Sequence, residues 1–384
     1  MNVYGKIDEK QEESHYQDWS VPEKREGAPI PFFSILLWSL VATAISVALP
    51  FIFGLISPQQ TQDLYTGWAL HQNGQMYTDY FGTEGLLYYV LTYLFQGSIL
   101  IALVEWLALF GAGVFLFKAA NTLVGQEKEA KRVVFILYLL VAGLAFGGGY
   151  ALLLALPFLF YSLSIVTNYL AFPKDDKGFV RVGMSLALAF FLAPIPTVLF
   201  AAVLALGIIG FNLAKGHFVH GLYQFFASAL GFSLLFYPLG YYTVWTGSFG
   251  DAISQTLYPV NTLSLFSNSH LLENAAFYGL LAIGLGSLGL LFAGLFQSKP
   301  AKQYALSIAT SLGLLISLGI LILSQEPING TRLVVLIPFL VLLLLTGIKE
   351  DVSDGGSRRR RRREKQTSFL KRNFYLPLIA LAYL

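Results

Sequence analysis

The chain has no cysteine, which excludes disulfides, thiol catalysis and cysteine-ligated zinc. Charge is scarce as well: 12% of the 384 residues are Asp, Glu, Lys or Arg, where an ordinary soluble domain carries about a quarter. What takes their place is apolar, at 55% of the chain. That balance points to a polytopic membrane protein.

The first apolar run, 30–56, follows a polar tail of mixed charge at 1–29. It is too long for a secretory signal, whose apolar region covers about 7–15 residues, and reads as an uncleaved span. Further spans are expected at 99–117, 133–146, 151–172, 183–196, 197–213, 221–240, 276–296, 304–324 and 333–348. The predicted fold is thus all-α with about ten to eleven transmembrane helices. Pro194 and Pro196 mark either a tight turn or a kink, and we count two helices there.

Basic residues are missing from one side. With the N-terminus inside, all but one of the 25 Lys and Arg fall on the cytoplasmic face, Arg332 being the exception. The external segments are then 57–98, the "GGGY" turn at Gly147 to Tyr150, 241–275 and 325–332. They carry Asp63, Asp79, Glu84, Asp251, Glu273 and Glu326. The first of them is also rich in aromatics, including Tyr65 and Trp68, which a merely solvated linker does not need. Leu86 to Phe95 is expected as an amphipathic helix at the membrane interface.

The order of span, acidic residue and "GWALHQNGQMYTDYFGTEGLLYYVLTYLF", followed by a second span ending near Lys118, resembles C-type (GT-C) integral-membrane glycosyltransferases. The branch it resembles is that of protein mannosyltransferases and aminoarabinose transferases. "GMSLALAFFLAP" from Gly183, "GFSLLFYPLGYYTVWTGSFGDAISQTLYPVN" from Gly231 and "TRLVVLIPFLVLLLL" from Thr331 resemble later parts of that family, so the likeness covers about 30–348. In place of the family's paired acid the chain has Gln62-Asp63, and in place of Lys-Pro-Pro it has Thr83-Glu84-Gly85.

The resemblance implies transfer of a hexosyl or pentosyl group from a polyprenyl-phosphate donor to an extracytoplasmic glycan, lipid or wall polymer at the plasma membrane. The acceptor hydroxyl needs a carboxylate base, worth about 10²- to 10⁴-fold. Asp63 is the first candidate by position and Asp79 the second; each has an alternative as a helix or turn cap. Arg332 is the candidate for the leaving phosphate, whose geometry an arginine fork matches, or else an interfacial anchor. Glu84, Tyr65, Trp68 and Asp251 complete the candidate substrate-binding set. A divalent metal held by Asp63 and Asp79 is an open option.

Other features carry less. Glu105, inside the second span, is either functional or paired within the bundle. His71 and His270 lack a second metal ligand at diagnostic spacing. The "GGGY" turn lacks the context of a phosphate loop. Arg358 to Arg363, in the basic segment 349–373, point to anionic lipid on the inner face rather than to nucleic acid. The apolar end at 374–384 is too short to span. Two alternatives to a transferase stand: a transporter or flippase of a lipid-linked saccharide, and a non-enzymatic subunit of a surface-polymer assembly. A transporter calls for paired intramembrane charges or two related halves, and neither is visible.

Overall fold

The structure is a computed structural model that describes residues 29–72, 74–96, 98, 100–173, 177–284, 301–326 and 330–348; within these, the side chains of Asp63, Ala301, Lys302 and Thr331 are not described. Expectations that fall on the two tails, on Lys174, on 285–300 and on 327–329 of the segment 325–332 lie outside the described residues.

The chain is an all-α polytopic membrane protein. Its helices are α1 (Phe32–Phe53), α2 (Pro58–His71), α3 (Leu86–Phe95), α4 (Ile101–Val124), α5 (Glu127–Leu144), α6 (Ala151–Ala171) and α7 (Phe179–Phe190). They continue with α8 (Pro194–Ala214), α9 (Phe218–Trp245), α10 (Phe249–Thr256), α11 (Leu271–Gly284), α12 (Ala301–Leu323) and α13 (Ile337–Gly347). A short helical turn, Tyr258–Asn261, follows α10, and a 3-10 segment, Gly330–Leu336, leads into α13. Each expected span contains helix in its described part, but the break falls at 191–193 and Pro194 opens α8, so two helices meet there and the expected boundary between 196 and 197 lies inside α8.

Six described helices are long and apolar enough to cross a bilayer. α7 has twelve residues, so at a rise of 1.5 Å per residue it reaches only about 18 Å, against a hydrocarbon core of about 30 Å. The final segment solves its length differently. Its 3-10 part rises about 2.0 Å per residue, which together with α13 brings it to roughly 30 Å.

Burial follows sequence character. From Ile337 to Thr346 every residue of α13 is buried, as expected of a helix that is apolar all round; it packs against α12 and α5. α6 sits between α4, α7 and α8. α9 lies at the periphery, with Phe226, Leu230, Leu234 and Tyr237 exposed, and meets the bundle chiefly through α7. That crossing is close because Gly183 and Gly231 bring backbone against backbone.

α1 bends where proline dictates. Pro50 has no N–H to offer the Ser46 carbonyl four residues earlier, and the helix passes through a π-turn at Ala44–Ala48. The Ser46 carbonyl instead accepts from Gly147 N–H at 2.9 Å. A break in one span thereby anchors a turn between two others.

Candidate functional site

Residues from 57–98, 147–150, 241–275 and 325–332 line one cavity of about 320 Å³. Gln59 and Gln62 of α2 contribute to its wall, with Phe81, Thr83, Glu84 and Tyr89 from the stretch leading into α3. Gly149, Tyr150 and Leu152 enter from the glycine turn, and Ala193 to Pro196 with Leu199 from the α7–α8 turn. Tyr258 and Pro259 follow α10; Ser317, Ile320, Leu321 and Ser324 belong to the end of α12, next to Glu326, Arg332, Val334 and Val335. Polar groups and aliphatic side chains thus share one lining.

Local chemistry explains how these pieces are held. Ser57 caps α2 by accepting from Gln60 N–H at 2.9 Å, and Pro58 occupies the first helical position. The same Ser57 hydroxyl donates to the Gly148 carbonyl at 2.8 Å. Gly147, Gly148 and Gly149 all have positive φ, at 100°, 73° and 81°, a region open to glycine without steric cost. A Cβ on Gly149 would lie 2.4 Å from the Gln60 Cα, so the turn seats α2 directly on its backbone.

The stretch carrying Glu84 is fastened from three directions. Gly85 N–H donates to the Leu192 carbonyl at 3.0 Å and Leu87 N–H to the Phe191 carbonyl at 2.8 Å, which ties it to the α7–α8 turn. The Tyr77 hydroxyl donates to the Glu84 carbonyl at 2.9 Å, while Glu84 N–H donates to the Tyr89 hydroxyl at 3.2 Å. The two rings meet edge to face, 5.9 Å apart. Burial pushes the Tyr77 phenol well above its ordinary range, and the neighbouring Glu84 carboxylate adds to the shift. Tyr77 also has φ +66°, sparsely populated for a bulky residue. From the third side Gln255 of α10 donates to the Tyr77 carbonyl at 2.7 Å and accepts from Gly82 N–H at 2.9 Å.

Arg332 is the one cation among the described residues that line the cavity. Its guanidinium pairs with Glu326 and donates from Nη1 to the Ser324 hydroxyl at 2.9 Å. Asn274 of α11, fully buried, donates to the Ser324 and Glu326 carbonyls at 2.9 and 3.2 Å. The arginine is therefore paired to a stapled segment and lines the same cavity as Glu84.

The candidates named from sequence divide accordingly. Glu84 and Arg332 come together at the cavity. Asp63 lies on α2 beside the cavity residue Gln62, but its side chain is outside the described residues. Asp79 is exposed and away from the lining; its carboxylate accepts from Gln75 N–H at 2.7 Å, and its own N–H donates to the Gln75 carbonyl at 2.9 Å. This is the turn-capping role open to an aspartate in "YTDYF". Tyr65 and Trp68 are exposed on α2, their ring centroids 6.0 Å apart, outside the lining. Asp251 is exposed in the first turn of α10, where an acid suits the helix dipole. Glu105 is fully buried in α4 and is not without a partner. Among the described residues no group of three or more His, Asp or Glu gathers.

Sequence reasoning missed Gln59, Gln62, Tyr258 and Ser324. A positional signal finds Gln59, Gln62 and Ser324, which lie near the ends of expected spans; Tyr258, in the middle of segment 241–275, has no such signal.

Fold and site together define a multi-pass α-helical membrane protein with an amphipathic cavity at one end, lined by a carboxylate and a paired arginine. The chain belongs to the family described as "Putative competence-induced protein Ccs4 N-terminal domain", which matches residues 23–384. No curated protein and no solved structure matches it.

Proposed function

We propose that this protein is a membrane glycosyltransferase that takes a sugar from a polyprenyl-phosphate donor and passes it to an acceptor hydroxyl on the extracytoplasmic face of the cell membrane. The family description names a condition of induction and no chemistry, so the reading rests on the cavity. The observation that carries it is that Glu84 and the Glu326-paired Arg332 line one space whose remaining wall mixes aliphatic side chains with amide, hydroxyl and aromatic groups. A lipid-linked phosphosugar has a similar mixture, with an anionic, hydroxyl-rich head on an apolar chain.

In this reading Glu84 is the general base, where the sequence alone favoured Asp63 and then Asp79. The acceptor oxygen attacks the anomeric carbon while its proton passes to the Glu84 carboxylate. The bond from that carbon to the phosphate oxygen breaks, and polyprenyl phosphate leaves with the electron pair. Arg332 stabilises the charge that develops on the phosphate. Gln59, Gln62 and Tyr258 supply hydrogen bonds suited to sugar hydroxyls, while Leu199, Ile320 and Leu321 take the first isoprene units.

The test is turnover by the full chain in lipid nanodiscs, read as release of polyprenyl phosphate. Glu84→Gln is expected to lower turnover by about 100-fold or more while leaving donor binding intact, and Arg332→Gln to weaken binding itself. Wild-type turnover by Glu84→Gln overturns the assignment of the base, and Asp63→Asn measured beside it tests the earlier candidate. Failure of the wild-type protein to bind polyprenyl phosphate overturns the reading as a whole.

A further inference from the structure

We propose that α10 lies in the lipid–water interface on the cavity side of the membrane and, through Gln255, holds the Glu84-bearing stretch in place. This does not depend on glycosyl transfer; it rests on how α10 distributes its side chains. Phe249, Ile253 and Leu257, four residues apart at and just beyond the helix, are all exposed, which puts them on one stripe. Asp251 and Ser254 are exposed on another side. The side turned to the protein carries Ala252, packed against the core, and the amide of Gln255.

A helix on a water-exposed surface shows the reverse pattern, apolar inward and polar outward. Here the apolar stripe faces away from the protein, and the polar amide faces in, satisfied by two backbone groups of the first loop. Lipid is the occupant that continuity favours. α10 follows directly on α9, a span whose large apolar residues are mostly exposed, and the last turns of α9 present Tyr237, Tyr241 and Trp245 outward. Aromatic rings gather at membrane interfaces in this way, and a short amphipathic helix continuing from them buries its stripe at the boundary of headgroups and acyl chains. Asp251 and Ser254 then face water, and Gln255 faces the first loop.

Because Gln255 hydrogen-bonds both the Tyr77 carbonyl and Gly82 N–H, whatever fixes α10 also fixes the turn whose tyrosine holds Glu84. Gln255 is a positioning residue in this sense.

The absence of native cysteine makes a direct test possible. Single variants Phe249→Cys, Ile253→Cys, Asp251→Cys and Ser254→Cys of the full chain are spin-labelled in phosphatidylcholine–phosphatidylglycerol vesicles. Collision rates with oxygen and with a water-soluble nickel chelate are then compared. Labels at 249 and 253 are expected to favour oxygen several-fold, and labels at 251 and 254 to favour the chelate. Equal chelate access at all four sites overturns the proposal in favour of a solvated helix. Exclusion of both reagents at 249 and 253 overturns it in favour of a protein partner or a second copy. The positioning half is read separately: Gln255→Leu is expected to raise the mobility of a label at Thr83, and unchanged mobility overturns that half.

Discussion

Adding one methyl group at Gly85 tests how the site is assembled. Gly85 has φ −81° and ψ 158°, a conformation open to any residue, so alanine brings no backbone strain of its own. The penalty comes from the neighbour: a Cβ would lie 2.2 Å from both the carbonyl carbon and oxygen of Phe191 and 2.8 Å from Leu192 N. These are backbone atoms and cannot rotate aside. Overpacking of this kind costs about 1–3 kcal/mol. The alternative is to release the contact, which forfeits the bonds from Gly85 N–H and Leu87 N–H at about 1 kcal/mol each. Either route gives about 2 kcal/mol, or roughly 30-fold in the opening equilibrium of this stretch. Leu86, buried beside it, serves as the reporter: in a Leu86→Cys background, Gly85→Ala is expected to speed labelling by a water-soluble maleimide by about that factor. Gly279→Ala is the control, since its Cβ would meet nothing within 4 Å. Labelling within threefold of the control refutes the claim that the Gly85–Phe191 contact docks the Glu84 stretch.

Two more outcomes follow from the same geometry. Gly231→Ala puts a Cβ 1.9 Å from the Val180 carbonyl oxygen; although alanine is about 1 kcal/mol the better helix former, thermal unfolding in detergent should fall by several degrees, and a rise refutes the close α7–α9 crossing. The raised pKa of Tyr77 means that its stabilising contribution is complete below the usual phenol pKa of about 10 and is lost as pH rises above it. The stability advantage over Tyr77→Phe should therefore be constant from pH 7 to about 10 and narrow beyond, and an advantage unchanged at high pH refutes it.

Much of the bundle was legible because each span is a local decision. A run such as 151–172 excludes water along its own length, and only a helix satisfies the backbone there. Pro194 and Pro196 were ambiguous by the same logic, since a proline can open a helix or kink one; the break at 191–193 is settled by Phe191 and Leu192, whose carbonyls turn to accept from the first loop. Arg332 stood out because it is the one basic residue in the segments expected outside, and it does line the cavity. Glu84 was placed only among the substrate contacts, with Asp63 and Asp79 as the candidate bases. The acids of a loop look alike in sequence, and Asp79 is drawn away by a bond to Gln75 N–H four residues earlier.

Composition by itself determined the class of the protein and where most of its helices lie, because transfer into a bilayer is decided segment by segment. Only the tertiary structure decided which of the loops between them touch. The shared cavity of Glu84 and Arg332, the seat of α2 on the glycine turn and the clamp of Gln255 on Tyr77 join residues far apart in the chain. Such contacts depend on side-chain fit and on where a glycine leaves room for a passing backbone, and neither is encoded in any one segment.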